Sequence, residues 1–443
     1  MATRGSPRST SEPAGAGPLA GHVVLELGST VAGPFCGRLL ADFGAEVIKV
    51  EPATGDAVRS MGMHRRGRSL YAASILRNKH LISLDLRTEE GRDVVLRMIP
   101  HVDIVVENFR PGTMERWGLD HAALSEINPG LVMVRISGYG QEGPYSARAG
   151  YGVVSEAVSG LRELTGDPDR PPPRVAVSLT DYISGLYAAF GAVMAINHRT
   201  VTGRGQVVDT ALYEAAFSFT EPYVPAFSEL GVVATRTGSR LINNAPNTLF
   251  EAADGDVVIA AGTQTVFRRL CAAMKRPDLL DDPRFATPAA RNTHTNEIEA
   301  IVANWARSHT VEQLEEMLNA HDVPASRIFD MADIFTDPQY RTRGMLVEVD
   351  DPDAQPDGNV NGPPATVTLA GIVPRLSNTP GEVRWAGRAI GADTRSVLRR
   401  HAGLDDATID HLHDIGAAWC APPADTATES SSDSDLGDSE TRR

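Results

Sequence analysis

Short apolar runs, each closed by a turn residue and followed by a helical stretch, recur through the first 140 residues. They constrain the fold more than any other feature of the chain. VVLEL at 23–27 has the length and β-branched content of a buried strand, and Gly28 ends it. Gly33-Pro34 opens a helix, proline suiting the first helical turn. Phe35, Leu39, Leu40 and Phe43 give that helix an apolar face, and Gly44 stops it. AEVIKV at 45–50 is the next strand. Leu81 to Leu86, Asp103 to Val106 and Leu131 to Ile136 read as further strands, and Thr88 with Glu89 and Glu90 behind it as a helix start. This alternation is the pattern of an α/β fold, a parallel sheet with helices across it.

The same segments exclude two nucleotide-binding designs. Gly28 and Gly33 do not form G-x-G-x-x-G, and Pro34-Phe35 follows where a P-loop needs Lys-Ser/Thr. A net charge of −15 argues against duplex nucleic acid as a partner, since that needs a basic face, but leaves room for a local basic pocket. At 443 residues the chain is long enough for two or more domains. Cys36, Cys271 and Cys420 have the spacing of neither a zinc site nor a disulfide framework, so a reducing, cytoplasmic setting without a structural metal is expected. No apolar run approaches the ~18 residues of a bilayer span, so no membrane partner is expected. The first 20 residues lack a secretory apolar core and read as a disordered extension.

The central stretch is PRVAVSLTDYISGLYAAFGAVMAIN at 173–197. Val175 to Leu179 reads as a strand end. A long helix follows, with Ile183, Leu186, Tyr187, Phe190, Val193, Met194 and Ile196 at the spacing of one buried face. Asp181 falls at the junction. There a carboxylate meets free backbone N–H groups, either as an ordinary N-cap or as a reactive group.

Residues 59–80 form the most basic segment, with Arg59, Arg65, Arg66, Arg68, Arg77 and Lys79. It reads either as a solvated loop or as a pocket for phosphates, where arginine binds bidentately. Asn108-Phe109-Arg110-Pro111-Gly112 follows a strand end, where open α/β sheets place ligands, although Pro-Gly also marks a plain turn. Residues 137–151 are glycine-rich, and a helix is expected from Ser155 to Leu164. Composition shifts near residue 220. Residues 246–261 suggest a hairpin turning at Asp254-Gly255, and a smaller domain is expected at 222–330. Loops and short strands fill 331–385, terminal helices follow, and 421–443, with six acidic residues, reads as a disordered tail.

Eight motifs in order resemble the class III CoA-transferase family, which includes formyl-CoA transferase and the carnitine CoA-transferases. They are VLELGSTVAGPFCGRLLADFGAEVIKVEP (24–52), LRNKHLISLDL (76–86), VVENFRPGTMERWGL (105–119), ISGYGQEGPYSARAGY (136–151), LTDYISGLYAAFGAV (179–193), TGRGQVVDTALYEAA (202–216), DPRFAT (282–287) and IGADTRSVL (390–398). The resemblance implies a Rossmann-like large domain at 21–221, a small domain at 222–330 and a return segment at 331–420 completing the large domain. It also implies an open ring that interlocks with a second copy as a homodimer.

For the site, the resemblance implies Asp181 as catalytic nucleophile. It places CoA contacts at Val31, Ala32, Leu76, Arg77, Asn78, Lys79, Asn108, Phe109 and Arg116. Tyr151, Arg148, Gly262 and Gln264 are the implied substrate residues, with Arg65 a further option; Arg148 and Arg65 equally suit a plain surface. The substrates would be CoA thioesters, with succinyl-CoA as donor and a small carboxylic acid as acceptor, and neither a metal nor a permanently bound cofactor. Asp181 would form an acyl anhydride and then an aspartyl-CoA thioester. The 137–150 loop and Gly262 would supply the oxyanion donors and exclude water. Gly152 stands where the family often has an acid, Val31 where it often has glutamine, and the glycine-rich loop is reduced to Ala261-Gly262-Thr263-Gln264. These departures speak against formate and oxalate. Two alternatives remain. One is an α-methylacyl-CoA racemase, whose histidine and acid would stand at Tyr151 and Gly152. The other is a CoA-binding protein without activity.

Overall fold

The computed structural model describes residues 17–65, 67–351 and 365–421. Arg66, most of the expected N-terminal extension and all but the first residue of the acidic tail lie outside the described residues. The chain forms two compact units. Among the described residues, the first takes those up to Ser155, then Ser178–Ala216, then those from Gly344 on; the second takes Glu156–Val177 and Phe217–Arg343.

The first unit is built on six parallel strands: β1 (Val23–Glu26), β2 (Glu46–Glu51), β3 (Lys79–Leu84), β4 (Ile104–Glu107), β5 (Val132–Ser137) and β6 (Val207–Ala211). Their order is β3-β2-β1-β4-β5-β6, and the pair Ala418–Trp419 adds an antiparallel edge beside β3. β1 to β5 are almost wholly buried, which explains their continuous apolar character: a parallel sheet is covered on both faces. One apolar cluster, including Leu25, Ile48, Ile82, Val105 and Met133, fills one side of the sheet. Another, including Val24, Val47, Val106 and Val134, fills the other. The chain winds outward from β1 through β2 to β3, then crosses to β4 on the other flank of β1. That reversal opens a crevice at the carboxyl ends of β1 and β4.

Helix α1 (Ala32–Asp42) follows β1, and α2 (Glu89–Met98) follows β3. Thr88 caps α2 by accepting from the Gly91 N–H, as its sequence position suggests. α3 (Thr113–Arg116) follows the NFRPG loop, α4 (Gly152–Val158) follows the glycine-rich stretch, and α5 (Leu179–Thr202) is the long central helix. The expected strand end at Val175–Leu179 does not form, and the helix expected to reach Leu164 stops at Val158.

The buried face of α5 differs from the expectation. Thr180, Ser184, Gly185, Ala188, Ala189, Gly191, Ala192, Ala195 and Ile196 are buried, while Leu186, Phe190 and Met194 are 55%, 59% and 51% exposed. The cause is close packing. A Cβ on Gly185 would lie 2.8 Å from the Ala32 carbonyl oxygen, and one on Gly191 would lie 2.6 Å from Val208 Cγ1. Small residues let α5 sit directly on α1 and β6, and the large apolar side chains are turned outward. By length and composition α5 could cross a membrane, contrary to the expectation, but half of its most apolar window is buried inside the protein. It is the core helix of the unit.

The second unit has its own apolar core, including Phe250, Val257, Ile259, Phe267, Leu270 and Phe285. Its sheet pairs Asn247–Glu251 with Asp256–Ala260 around the expected Asp254-Gly255 turn, and adds Ala325–Arg327. The expectation drew this unit as 222–330; the unit described here also takes in 156–177 and runs on to Arg343.

Candidate active site

The loop from β1 to α1 is held by three fixed points. The Lys49 ammonium donates to the Gly28 carbonyl and lies 2.9 Å from Asp56 Oδ2. Asp56 Oδ1 accepts the Thr30 N–H at 2.9 Å, which holds Thr30 at φ +69°, a left-handed conformation rarely adopted by a β-branched residue. Asn108, at the end of β4, clasps Ser29 through both ends of its amide. The loop therefore delivers Val31 and Ala32 to the start of α1 at the crevice. Val31, Leu76, Tyr71 and Tyr182 share one small apolar cluster there.

Asp181 arrives at the same place on α5. Ser178 is the N-cap residue, so Asp181 is the third helical residue rather than the cap. One turn further on, Gly185 rests on Ala32 and Phe35. The Tyr182 ring meets the Phe35 ring edge-on at 4.8 Å, and its hydroxyl lies 2.8 Å from that of Tyr71. Burial, the Tyr182 contact and the negative charge of Asp181 together push the Tyr71 phenol above its ordinary pKa. On the other side, Thr180 Oγ1 donates to the Gly152 carbonyl at 2.9 Å. Asp181, Val31, Ala32, Leu76 and Asn108 are thus gathered around one end of the sheet.

Other expected residues fall elsewhere or do other work. Arg77 and Lys79 are 0% exposed. Arg77 grips the Asp42 carboxylate at 3.0 and 2.6 Å, and Asn78 bridges Asp42 and the Glu382 carbonyl. Lys79 donates to Glu26 Oε2 and to the Pro34 carbonyl, both at 2.7 Å. Arg59 pairs with Glu51, and Arg68 pairs with Asp351. The basic segment is neither a solvated loop nor an open phosphate pocket at these residues: their charges are matched inside the protein, because a buried cation needs a partner. Phe109 stacks edge-on with Trp117 at 5.1 Å, and Arg116 is exposed, donating to Thr113 Oγ1.

The 137–150 loop is pinned at its base. A Cβ on Gly138 would fall 2.5 Å from the Gly150 Cα, so the two strands of the loop touch backbone to backbone. Arg148 is exposed, with its guanidinium 3.5 Å from the centre of the Tyr145 ring, and Tyr151 is 58% exposed. Arg65 is exposed as well. Gly262 and Gln264 belong to the second unit. There the buried Arg291 donates to the Gly262 carbonyl at 2.8 Å, to Gln264 Oε1 at 2.8 Å and to the Ala245 and Phe285 carbonyls, with Phe267 beneath it. Gln264 spends its amide on Arg291 and the Ala286 carbonyl. Among the described residues no three His, Cys, Asp or Glu side chains gather as a metal site.

Lys49 and Asp56 were not singled out from the sequence. The signal was a lysine set among Val47, Ile48 and Val50 in the strand EVIKVE, since a charge in a buried strand demands a countercharge.

Residues 19–394 match the profile of CoA-transferase family III. The chain is 45% identical over 386 residues to the succinyl-CoA–D-citramalate CoA-transferase of Chloroflexus aurantiacus, covering 86% of this chain and 94% of that protein. It is 39% identical over 400 residues to the β subunit of the succinyl-CoA–L-malate CoA-transferase of the same organism, covering 89% and 96%. A crystal structure of a CaiB/BaiF family protein from Brucella suis superposes with a TM-score of 0.75 at 32% identity, covering 87% of this chain and all of that one. The motifs, the sheet order and these likenesses over most of the chain lead to one conclusion: the chain belongs to CoA-transferase family III and is a CoA-transferase.

Proposed function

We propose that this CoA-transferase moves CoA from succinyl-CoA to a small carboxylic acid, with Asp181 as the covalent nucleophile. The observation that carries the reading is the seat of Asp181, in the first turn of α5, packed against the Val31–Ala32 end of α1 where the sheet reverses direction. The donor and the class of acceptor follow from the citramalate and malate relatives, whose names pair succinyl-CoA with a hydroxylated dicarboxylic acid.

In this reading the thioester lies over the crevice, its CoA against Val31, Ala32, Leu76, Asn108 and Phe109. A carboxylate oxygen of Asp181 attacks the thioester carbonyl, the C–S bond breaks, and CoA thiolate leaves an acyl-aspartyl anhydride. The thiolate then attacks the Asp181 carboxyl carbon and expels the donor as its free carboxylate. An acceptor carboxylate repeats both steps in reverse, so the thioester energy is conserved and no net proton moves. The first helical turn of α5 supplies a positive end that favours the resting carboxylate. The isomerase alternative needs an acid at position 152. This chain has Gly152 there, and Tyr151 stands where the isomerase needs a histidine, so the proton-transfer pair is incomplete.

We further propose a homodimer of interlocked rings, supported by the outward-facing Leu186, Phe190, Val193 and Met194 of α5. With Leu39, Phe43 and Leu376 the first three line an apolar groove of about 570 Å³. A cytoplasmic location fits the three free cysteines.

The test is an exchange assay read by mass spectrometry. The protein is incubated with succinyl-CoA and a panel of mono- and dicarboxylic acids, beside Asp181→Ala. New acyl-CoA species that vanish in the variant establish the reading and name the acceptor. Loss of configuration in a chiral 2-methylacyl-CoA with no acid converted would replace it with the isomerase.

A further inference from the structure

The stretch ENFRPGTMER at 107–116 carries two acids and two bases, enough to cancel among themselves. They do not pair that way. Both glutamates are taken by Arg135, which stands beside Glu107 in register on β5. Its Nε donates to Glu107 Oε1 at 2.7 Å, and its two terminal nitrogens reach the Glu115 oxygens at 2.7 and 3.3 Å. Arg135 is 8% exposed and Glu107 1%, so this fork is built into the sheet rather than formed in open solvent. The other Glu107 oxygen accepts the Phe109 N–H at 2.8 Å. Glu115 is exposed, and its carboxyl is held below its ordinary value first of all by the hydrogen bond from Arg135. Arg110 and Arg116 are exposed too, and among the described residues neither has an ion pair. Arg116 donates to Thr113 Oγ1 and folds back over the loop, its Nη1 3.4 Å from where a Cβ on Gly112 would lie.

We propose that Arg135 is a positioning residue for coenzyme binding: it sequesters Glu107 and Glu115, so that Arg110 and Arg116 stay unpaired for the phosphates of the CoA thioester. The inference rests on the CoA of the proposed function lying against Asn108 and Phe109. CoA carries its negative charge on a diphosphate and a ribose phosphate, and arginine binds phosphate through paired N–H bonds. An unrestrained glutamate next to Arg116 in the chain would compete for that fork and repel the phosphate. Arg135 removes the competitor by drawing both carboxylates toward the sheet. Three arginines against two glutamates then leave a local surplus of positive charge in a chain whose net charge is −15, and the surplus lies on the two exposed side chains. A lysine at 135 would keep a charge beside Glu107, but one compact ammonium does not hold both carboxylates, and Glu115 would be released.

The experiment measures Kd for CoA by titration calorimetry at low and high salt. Arg110→Ala, Arg116→Ala and Arg135→Lys should each weaken binding on the order of tenfold at low salt, the scale of one lost charge-assisted contact. The loss should shrink at high salt, where phosphate contacts are screened. Glu115→Gln should bind CoA as tightly as the parent protein or more tightly, and added to Arg135→Lys it should restore most of the affinity. Weaker binding by Glu115→Gln, or no rescue of Arg135→Lys, would mean that the fork ties the loop instead of freeing the arginines, and overturns the proposal. A loss in Arg135→Lys that salt does not diminish does so as well, as does parent-like binding by Arg135→Lys beside weakened Arg110→Ala and Arg116→Ala. Should Arg135→Lys fail to fold, the sign of the Glu115→Gln effect decides alone. Parent-like binding by both Arg110→Ala and Arg116→Ala overturns the placement of CoA on this loop itself.

Discussion

The amide of Asn108 closes a two-bond ring on the main chain of Ser29: Oδ1 accepts the Ser29 N–H at 2.7 Å and Nδ2 donates to the Ser29 carbonyl at 2.9 Å. The two residues end adjacent strands, β4 and β1, on either side of the point where the sheet reverses. Gly28 makes the ring possible, since a Cβ there would lie 2.8 Å from Asn108 Oδ1. The side chain of Asn108 therefore holds the loop that presents Val31 and Ala32.

Asn108→Ala should loosen that loop. Two hydrogen bonds at about 1 kcal/mol each are lost. Expressed in the loop alone, that is a rise in KM for succinyl-CoA of roughly 30-fold, with a smaller change in kcat. Asn108→Asp keeps the acceptor but turns a carboxylate oxygen toward the Ser29 carbonyl, and should do no better than alanine. Steady-state kinetics on both variants check this; a KM equal to that of the parent protein would show that Asn108 does not govern the loop.

Asp56 makes the same loop sensitive to acid. Burial works against its charge, but Lys49 and the N–H groups of Val58 and Thr30 outweigh burial and hold the carboxyl below its ordinary value. A depressed carboxyl contributes stability that is complete above its unfolded pKa, about 3.9, and is lost as pH falls through the folded value. Below about pH 4 the parent protein should therefore lose stability with a proton-uptake slope that Asp56→Asn lacks in part. Urea unfolding at pH 3 to 6 on both proteins measures the difference in slope.

The sheet was legible in the chain because its strands are short, β-branched and separated by helix signals, as in VVLE at β1 and IVVE at β4. Asp181 stood out through a motif, LTDY, but its setting did not. Periodicity counts large apolar side chains, and α5 buries alanine, glycine and serine instead, so its faces were read the wrong way round. The basic segment misled for a related reason. Charge along a sequence does not show that Arg77 has Asp42 and Lys79 has Glu26 as partners, since those residues are 35 and 53 positions away.

Lys79 offers a direct contest between the two readings of the basic segment. If it bound a CoA phosphate, Lys79→Met would raise KM and leave stability alone. The structure predicts the reverse, because Glu26 would be left as a buried carboxylate, with Lys49 3.7 Å from its other oxygen. Removing one member of a buried pair costs about 3–5 kcal/mol. A Tm lowered by several degrees is expected, with KM near that of the parent protein among molecules still folded. Glu26→Gln combined with Lys79→Met should recover much of the loss. A thermal melt and a kinetic titration on the same preparations decide it.

Phe190 tests the assembly. It is 59% exposed on α5 and contributes little to the core of its own unit. Fully burying such a side chain against a second copy is worth about 1.5–3 kcal/mol, and a dimer counts it twice. Phe190→Asp should therefore leave the circular dichroism spectrum unchanged while light scattering reports a shift from two chains to one. Leu186→Asp, one turn earlier on the same face, should do the same, whereas Arg87→Asp, at an exposed residue after β3, should leave the mass unaltered. If the parent protein already scatters as a single chain, the outward apolar face of α5 serves something other than a second copy, and the homodimer is ruled out.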